Sequence, residues 1–224
     1  MVETGESKVG CGRITSLEAQ KRRPHRVNVH LDGVYAFSLE ASVALSAGLR
    51  CGDPLDEAAV SALLRQEEHE SARARALRFL VTRERSRFEV QSRLEKYGYE
   101  PSVVDGVVAW LMDLGYVEDA RFARLYWHEK AAGGWGPARI AAELLQRGIP
   151  RELTAAIMEE DLEGGGPSRC DDADLAALVR RRFRCDRTRD PAGARRRAHA
   201  FLARRGHGWE RIERVLELAF ATDG

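Results

Sequence analysis

The chain has few of the features that mark secreted, membrane-spanning or metal-binding proteins. Its 224 residues contain only four cysteines, which lie far apart at Cys11, Cys51, Cys170 and Cys185. No two form a CxxC pair and no histidine joins them at the spacing of a zinc site, so the sequence predicts reduced thiols and a cytoplasmic protein. No apolar run approaches the roughly 18 residues of a membrane-spanning helix. The N-terminus also has no apolar signal-peptide core.

Motifs of catalysis are missing as well. The sequence contains no GxxxxGK[ST] phosphate-binding loop, no GxGxxG segment after a strand, and no HExxH or GxSxG motif. We therefore expect a protein without catalysis of its own and without a cofactor. A nuclease with an unfamiliar site is the enzymatic alternative. The acidic residues lie mostly at predicted helix caps or among basic residues, which argues against it.

Two small groups of side chains allow both a functional and a structural interpretation. His25 and His30 could share a metal ion on a strand. Metal sites normally need further ligands nearby, so exposed strand histidines are the preferred interpretation. Tyr126, Trp127 and Trp135 could stack on nucleic-acid bases. Core packing and anchoring of helix ends are preferred for them, because large aromatic side chains usually serve burial.

The charge of the chain is nearly balanced overall but unevenly distributed. There are 36 Lys and Arg against 35 Asp and Glu, a formal net charge of +1, so bulk electrostatics do not indicate nucleic-acid binding. The segment 180–205, however, holds 11 arginines against only Asp186 and Asp190, a net charge of +9. A polyanion would be bound there if anywhere in the chain.

An internal repeat organises the centre of the chain. Apolar and glycine positions recur at an offset of 50 residues, with Val90, Leu94, Gly98 and Val107 matching Ile140, Leu144, Gly148 and Ile157. A weaker third copy follows after a further 58 residues, at Ala198, Leu202, Gly206 and Val215. Such repeats indicate stacked supersecondary units that share a continuous core.

Local signals predict about three short helices in each unit. Ser86 fits the start of a capping box, and Ser102 and Asp119 are the predicted caps of the next two helices. Gly148 is placed to end a helix in the left-handed conformation that glycine enters cheaply. Apolar faces are expected to include Leu125 and Leu145.

Three helices are predicted between the N-terminal sheet and residue 81. The first runs from Glu40 to Ala47 and ends at Gly48. A second is expected to open at Asp53 and Pro54, and a separate third helix, Ser71–Val81, begins the first repeat.

A small sheet is predicted at the N-terminus. The segment Arg26–Leu31 alternates apolar and polar residues, and Asp32-Gly33 is a strong hairpin-turn signal because both central positions of that turn need a positive φ. Ile14–Gln20 is then a third strand.

The predicted fold is mainly α, with tandem three-helix repeats in an elongated array and a small N-terminal antiparallel β-hairpin extension. The expected divisions are a disordered N-terminus (1–12), the hairpin extension with a short helix (13–54), repeat one (55–117), repeat two (118–161), a glycine-rich linker (162–172) and a basic repeat three (173–224).

The repeat region resembles the RecX family, the regulatory partners of the RecA recombinase. The closest likeness lies in the segments GYVEDARFA and GPARIAAELLQRGI. The matching residues are Ser86, Glu89, Leu94, Gly98, Leu111, Gly115, Tyr116, Asp119, Phe122, Ala123, Gly136, Ile140, Glu143, Leu144, Gly148 and Ile149. The glycine-rich linker and the Arg184–Asp190 insertion depart from the spacing of the family.

The resemblance implies a non-catalytic modulator. Family members bind RecA–DNA filaments, lodge in the helical groove and inhibit ATP hydrolysis, strand exchange and co-protease activity. We expect a monomer that binds the RecA filament, without a membrane contact. The alternative is a helical module that binds single-stranded DNA directly and affects RecA by competition.

The arginine-rich third repeat is the predicted contact with RecA or with single- or double-stranded DNA, because the guanidinium fork binds oxyanions bidentately. The alternative is a solvated helix face. The candidate contact residues are Arg180, Arg181, Arg182, Arg195, Arg196, Arg197, Arg204 and Arg205.

Overall fold

The computed structural model describes residues 11–163, 170–183 and 190–221; for residues 162–163 it describes the backbone but not the side chains. Three parts of the chain lie outside the described residues. They are residues 1–10, which were predicted to be disordered, most of the glycine-rich linker, and most of the Arg184–Asp190 insertion. The described part is mainly helical with an N-terminal antiparallel sheet, as predicted. It forms two compact units, Met1–Arg83 with Gln91–Asp113, and Glu84–Val90 with Leu114–Gly224.

The described residues contain four strands and ten helices. The strands are β1 (Gly12–Gln20), β2 (Arg23–Leu31), β3 (Val34–Glu40) and β4 (Pro54–Leu55). The helices are α1 (Ala41–Ser46), α2 (Glu57–Leu80), α3 (Arg87–Glu95), α4 (Pro101–Asp113), α5 (Asp119–Ala132), α6 (Pro137–Gln146), α7 (Arg151–Glu163), α8 (Asp172–Arg182), α9 (Pro191–Arg204) and α10 (Trp209–Phe220). Among the described helices, none offers an apolar stretch of the length that spanning a bilayer requires.

The sheet has the strand order β3-β2-β1-β4, and all its neighbours are antiparallel. Asp32 and Gly33 connect β2 to β3 with φ values of +49° and +84°, which confirms the predicted hairpin turn. His30 Nδ1 lies 2.9 Å from Ser16 Oγ, and its ring meets Tyr35 edge-on. No group of three metal-ligating side chains occurs in the part of the chain that is described.

The sheet packs on the first half of α2 through one apolar face. The buried side chains include Val29, Leu39, Val43 and Val60. Glu67 of α2 is buried at the same contact, where it accepts a hydrogen bond from the backbone N–H of Glu40. Its carboxylate also forms an ion pair with Arg26 at 2.9 Å. Burial raises the pKa of Glu67, and these partners oppose that rise. A polar anchor therefore fixes the sheet on the helix.

Two predicted helix boundaries before the repeats are wrong. Pro54 belongs to β4, which pairs with the start of β1, and the helix begins after Asp56, whose side chain accepts from Ala59 N at 2.7 Å. The two helices expected on either side of residues 65–70 are one 24-residue helix, α2. The intervening residues RQEEHE contain no helix breaker, so the chain continues as a single helix.

The caps of the repeat helices are partly as predicted. Ser86 and Glu89 form the expected capping box, with each side chain accepting from the backbone N–H of the other. Ser102 lies inside the first turn of α4, and α5 begins at Asp119 after Glu118, so neither predicted cap is correct. Asp119 instead accepts from Arg87 N at 2.8 Å and caps α3.

The second and third repeats each enclose an apolar core. The buried residues are Phe122, Ala123, Trp127, Ile140, Leu144, Ile149 and Ile157 in the second repeat and Leu175, Ala176, Val179, Ala198, Leu202, Ile212, Val215, Leu216 and Ala219 in the third. Leu125 and Leu145 are exposed, so their predicted place on the apolar faces is wrong. The buried face of α5 lies on its Phe122–Ala123–Trp127 side instead.

A contact that we call the repeat joint occurs twice within the second unit. The glycine that ends the second helix of one repeat packs on the first turn of the second helix of the preceding repeat. In the first joint, Ser86 Oγ donates to the Arg147 carbonyl at 2.7 Å, and a Cβ at Gly148 would overlap Phe88. These glycines have positive φ, +78° at Gly148 and +86° at Gly206.

The second joint repeats this geometry 50 to 58 residues later. Gly136 N donates to the Arg205 carbonyl at 2.7 Å, and a Cβ at Gly206 would overlap the backbone of Arg139. Each joint therefore satisfies a helix-end carbonyl that has no partner within its own helix. The repeated glycine is needed for its φ and for this close approach.

The second joint contains a buried histidine. His207 Nε2 donates to the Gly134 carbonyl at 3.1 Å, which leaves Nδ1 as the unprotonated nitrogen, buried and without a hydrogen-bond partner among the described residues. Burial lowers the pKa of His207; nearby Arg211 and Arg205 also lower it, while the Gly134 bond and Asp172 oppose the change. The folded chain therefore holds this imidazole neutral.

Substitution of the joint glycine Gly206 tests the close approach, and Gly115, a positive-φ glycine outside the joints, is the control. Gly115→Ala places a side chain at φ +69° in open space and should cost about 1–2 kcal/mol of unfolding free energy from the left-handed backbone alone. Gly206→Ala adds an overlap with backbone, which should cost about 1–3 kcal/mol more. Urea unfolding of the two variants measures the difference. Equal losses would contradict the joint.

The neutral state of His207 makes the second unit less stable in mild acid. Below pH 6.5 the unfolded chain takes up a proton that the folded site refuses, so the free energy of unfolding falls as pH drops from about 6.5 toward the lowered folded pKa. His207→Gln keeps a donor for Gly134 but does not titrate. Urea unfolding at pH 7.5 and 5.5 should show a larger loss in the wild type than in this variant; identical losses would refute a titrating His207.

Candidate interaction surface on the third repeat

The buried face of α9 determines where its arginines lie. Ala194, Ala198 and Leu202 are fully buried, and Ala198 and Leu202 belong to the core shared with α8 and α10. Successive helical residues are about 100° apart, so the residues 195–197 cannot share the buried direction. All three arginines of that run are exposed. The alanines let α9 approach its neighbours closely and leave the arginines in water.

The three arginines at the end of α8 have different surroundings. Arg180 Nη2 donates to the Leu218 carbonyl at 2.7 Å, near the end of α10. The guanidinium of Arg182 lies 4.9 Å from the ring centroid of Phe201, within cation–π range. Arg181 is exposed and has no carboxylate partner among the described residues. Only Arg181 of the three is therefore uncommitted.

The arginines of α9 divide in the same way. Arg195 pairs with Glu213 at 2.9 Å, and Arg197 pairs with the helix cap Asp190 at 3.6 Å. Arg196 and Arg204 are exposed, and neither has an ion-pair partner within residues 11–163, 170–183 and 190–221. Surface ion pairs contribute little to stability, so Arg195 and Arg197 can exchange partners more readily than a buried pair could.

Arg205 belongs to the second repeat joint. Its Nη1 donates to the Gly133 carbonyl at 2.8 Å and to the Gly134 carbonyl at 3.1 Å. The guanidinium also lies 4.8 Å from the Phe201 ring centroid. Burial lowers the pKa of Arg205, and the nearby charge of Arg182 lowers it further. This side chain holds repeats two and three together.

A hollow of about 420 Å³ opens beside the arginine run of α9. It is lined by Ala192, Arg195, Arg196, His199, Glu213 and Leu216. The Nε2 atom of His199 is buried without a hydrogen-bond partner among the described residues. Trp209 meets the His199 ring edge-on at 5.2 Å and is 67% exposed. The wall of the hollow therefore includes two guanidiniums and the His199 ring, and the exposed indole of Trp209 lies against that ring from outside the lining.

A larger cavity of about 780 Å³ lies between repeats two and three. Its wall includes Trp127, Trp135 and Met158 on the apolar side. On the polar side, Asp172 accepts from Arg211 at 2.8 Å and from Arg214 at 3.1 Å. Burial opposes the ionised form of Asp172, but these two hydrogen bonds hold its pKa below the usual value. These three polar groups of the wall are thus paired with one another.

The aromatic side chains of the second repeat serve packing. Trp127 is only 4% exposed, and Tyr126 stacks on Phe122 with centroids 5.9 Å apart. The Tyr126 hydroxyl donates to Glu143; burial and this bond raise the pKa of Tyr126 to about 12. Trp135 is partly buried beside the second repeat's core. These contacts support the structural interpretation of this aromatic group.

The sequence identified the arginine-rich region but not the different environments of its members. The site residues that sequence reasoning missed are His199 and Trp209. Their signal was weak, because a histidine and a tryptophan ten residues apart on different helices are adjacent only once α9 and α10 pack.

Sequence models of RecX domains match three segments of the chain. The RecX N-terminal domain matches residues 12–56, the first RecX three-helix domain matches 72–111, and the second matches 119–158. Together they span more than half of the chain and coincide with the sheet region and the first two repeats.

Proteins with sequences similar to this chain carry the same family name. A regulatory protein RecX of Listeria innocua is 32% identical over 149 residues, which are 66% of this chain and 55% of the relative, so the match spans about half of that protein. The regulatory protein RecX of Clostridium acetobutylicum is 26% identical over 213 residues, covering 94% of this chain and 97% of the relative.

Solved structures show the same fold. A crystal structure of a regulatory protein RecX superimposes with a TM-score of 0.62 at 23% identity, covering 91% of this chain and 98% of that one. RecX from Lactobacillus salivarius gives a TM-score of 0.52 at 18% identity, covering 69% and 97%. From the domain matches, the relatives and the fold together, the chain belongs to the RecX family.

Proposed function

We propose that this chain is a non-catalytic regulator of a RecA-type recombinase. In this proposal it acts in the cytoplasm, binds the RecA–DNA filament and suppresses ATP hydrolysis, strand exchange and co-protease activity. Family membership supports the regulatory role, since the relatives are named regulatory proteins. The second and third repeats, which pack on each other through a repeat joint, support an extended target such as a filament, because stacked repeats present a continuous surface.

The observation that carries the binding proposal is the set of uncommitted guanidiniums on the third repeat. Arg181, Arg196 and Arg204 are exposed and lack carboxylate partners in the described part of the chain. Three cations that are not neutralised from within attract phosphates or an acidic protein surface. We assign the filament contact to these three, with Arg195 and Arg197 as exchangeable neighbours. Arg180 and Arg182 flank them, and Arg205 is excluded because it holds the joint.

Charge reversal tests this assignment. The triple variant Arg181→Glu, Arg196→Glu, Arg204→Glu should weaken inhibition of RecA ATPase by roughly tenfold or more, because each reversal replaces attraction with repulsion. The matched control is Arg65→Glu, Arg78→Glu, Arg151→Glu, which makes the same charge change at exposed arginines of α2 and α7. Equal inhibition by both folded variants would refute the assignment.

The second candidate is a module that binds single-stranded DNA directly and competes with RecA for it. The exposed Trp209 beside the arginine-lined hollow favours this candidate, because an indole face can stack on an unpaired base.

Excess DNA separates the two candidates. RecA ATPase on saturating single-stranded DNA is titrated with the chain and then repeated with a large excess of DNA. We expect inhibition at amounts well below RecA that persists in excess DNA. Relief by DNA, together with a salt slope that falls by about 0.7 for each arginine removed, would instead support direct strand binding. No inhibition at all would refute both.

A further inference from the structure

The first repeat carries the same corner that the second and third repeats use in their joints. In the joints, the residue before the glycine offers its carbonyl, from Arg147 or Arg205, to a donor on the preceding repeat. The equivalent residues at the end of α3 are Tyr97 and Gly98. We call Tyr97 and Gly98, with the neighbouring Arg75 and Arg93, the first-repeat corner.

This corner is open. Gly98 has a φ of +83°, close to the values of Gly148 and Gly206. A Cβ at Gly98 would meet no atom within 4 Å, whereas at the other two glycines it would overlap the preceding repeat. Tyr97 is 44% exposed. The backbone is therefore shaped for a joint that the described residues do not complete.

The charge of the corner indicates what would complete it. The guanidiniums of Arg75 and Arg93 lie 4.0 Å and 5.0 Å from the Tyr97 ring centroid. Among the described residues, neither guanidinium has a carboxylate partner. In both existing joints, the segment that packs on the glycine is the first turn of a helix. The N–H groups of a helix start carry partial positive charge and favour acidic side chains. A helix start with acidic residues would supply donors for the Tyr97 carbonyl and carboxylates for the two arginines.

A second copy of this chain does not supply that helix start in the same register. The position in the third repeat that corresponds to Gly136 is Ala194. Because α9 is 14 residues long and α6 only 10, Ala194 lies inside α9, where its N–H already donates to the Asp190 carbonyl at 2.8 Å. The extra turn of α9 therefore removes the equivalent free helix start from the third repeat, which favours a helix of another protein over a second copy in this register.

We propose that the first-repeat corner docks the N-terminus of a partner helix with an acidic first turn and a serine, threonine or glycine cap. This inference rests on the proposed function, which makes the partner a RecA protomer in the filament. The partner helix would reproduce the repeat joint between two proteins: its cap donates to the Tyr97 carbonyl, its backbone lies against Gly98, and its acidic residues pair with Arg75 and Arg93.

A matched pair of glycine variants tests the corner. Gly98→Asn fills the open space with a residue that tolerates a left-handed backbone. Gly48→Asn makes the same change at φ +63°, also in open space, at the end of α1. Binding of labelled full-length chain to RecA filaments on single-stranded DNA is measured by fluorescence anisotropy. We expect at least tenfold weaker binding for Gly98→Asn and no change for Gly48→Asn, with circular dichroism confirming that both fold.

A second variant guards against a local folding defect, and the outcomes separate the two proposals. Arg93→Glu leaves the glycine intact and should also weaken filament binding. If the wild-type chain binds the filament and both Gly98→Asn and Arg93→Glu bind it with the same affinity, the corner is overturned and the proposed function stands. Absence of wild-type binding would overturn both. Wild-type self-association that Gly98→Asn abolishes, measured by sedimentation, would show that a second copy is the occupant and overturn the partner assignment.

Discussion

The structure of the repeats depends on a hydrogen bond between the end of one helix and the start of another. A helix leaves its last carbonyls without partners in its own α-helical hydrogen bonds, and capping groups or water must satisfy them. Here Ser86 and Gly136 satisfy two of them, and the positive-φ glycines permit the close approach: Gly148 lies against the Phe88 side chain and Gly206 against the Arg139 backbone. A side chain at Gly148 or Gly206 would separate the repeats. The glycine in each joint therefore sets how closely the second helices of neighbouring repeats approach each other.

The joint also decides which arginines remain for a partner. Arg205 is drawn into the second joint, where burial and two carbonyls hold it, while Arg181, Arg196 and Arg204 stay in water on the outer faces of α8 and α9. The small buried residues of α9 permit this arrangement, because they bring the helix close without using its charged face. A run that looks uniform in the sequence thus divides into side chains that hold the fold and side chains that can bind.

Local signals were enough to predict the features with local causes. The Asp32-Gly33 turn and the Ser86 capping box need only the residues themselves, and both are confirmed. The start of α2 was misplaced because Asp53-Pro54 resembles a helix start, yet Pro54 is held in a strand by pairing with a residue 41 positions earlier in the chain. Gly206 also packs against the backbone of Arg139, and Arg195 pairs with Glu213. Both contacts are tertiary, and no spacing in the sequence reveals them.

The amide of Gly136 tests the central claim most directly, because its proton lies in the second joint and nowhere else. Native-state hydrogen exchange reports the free energy needed to open each hydrogen bond. If the joint holds the repeats together, the Gly136 amide exchanges as slowly as the core amide of Leu202, since both require the third repeat to separate or unfold. Exchange of Gly136 at the rate of an open loop amide, with Leu202 still protected, would contradict the account.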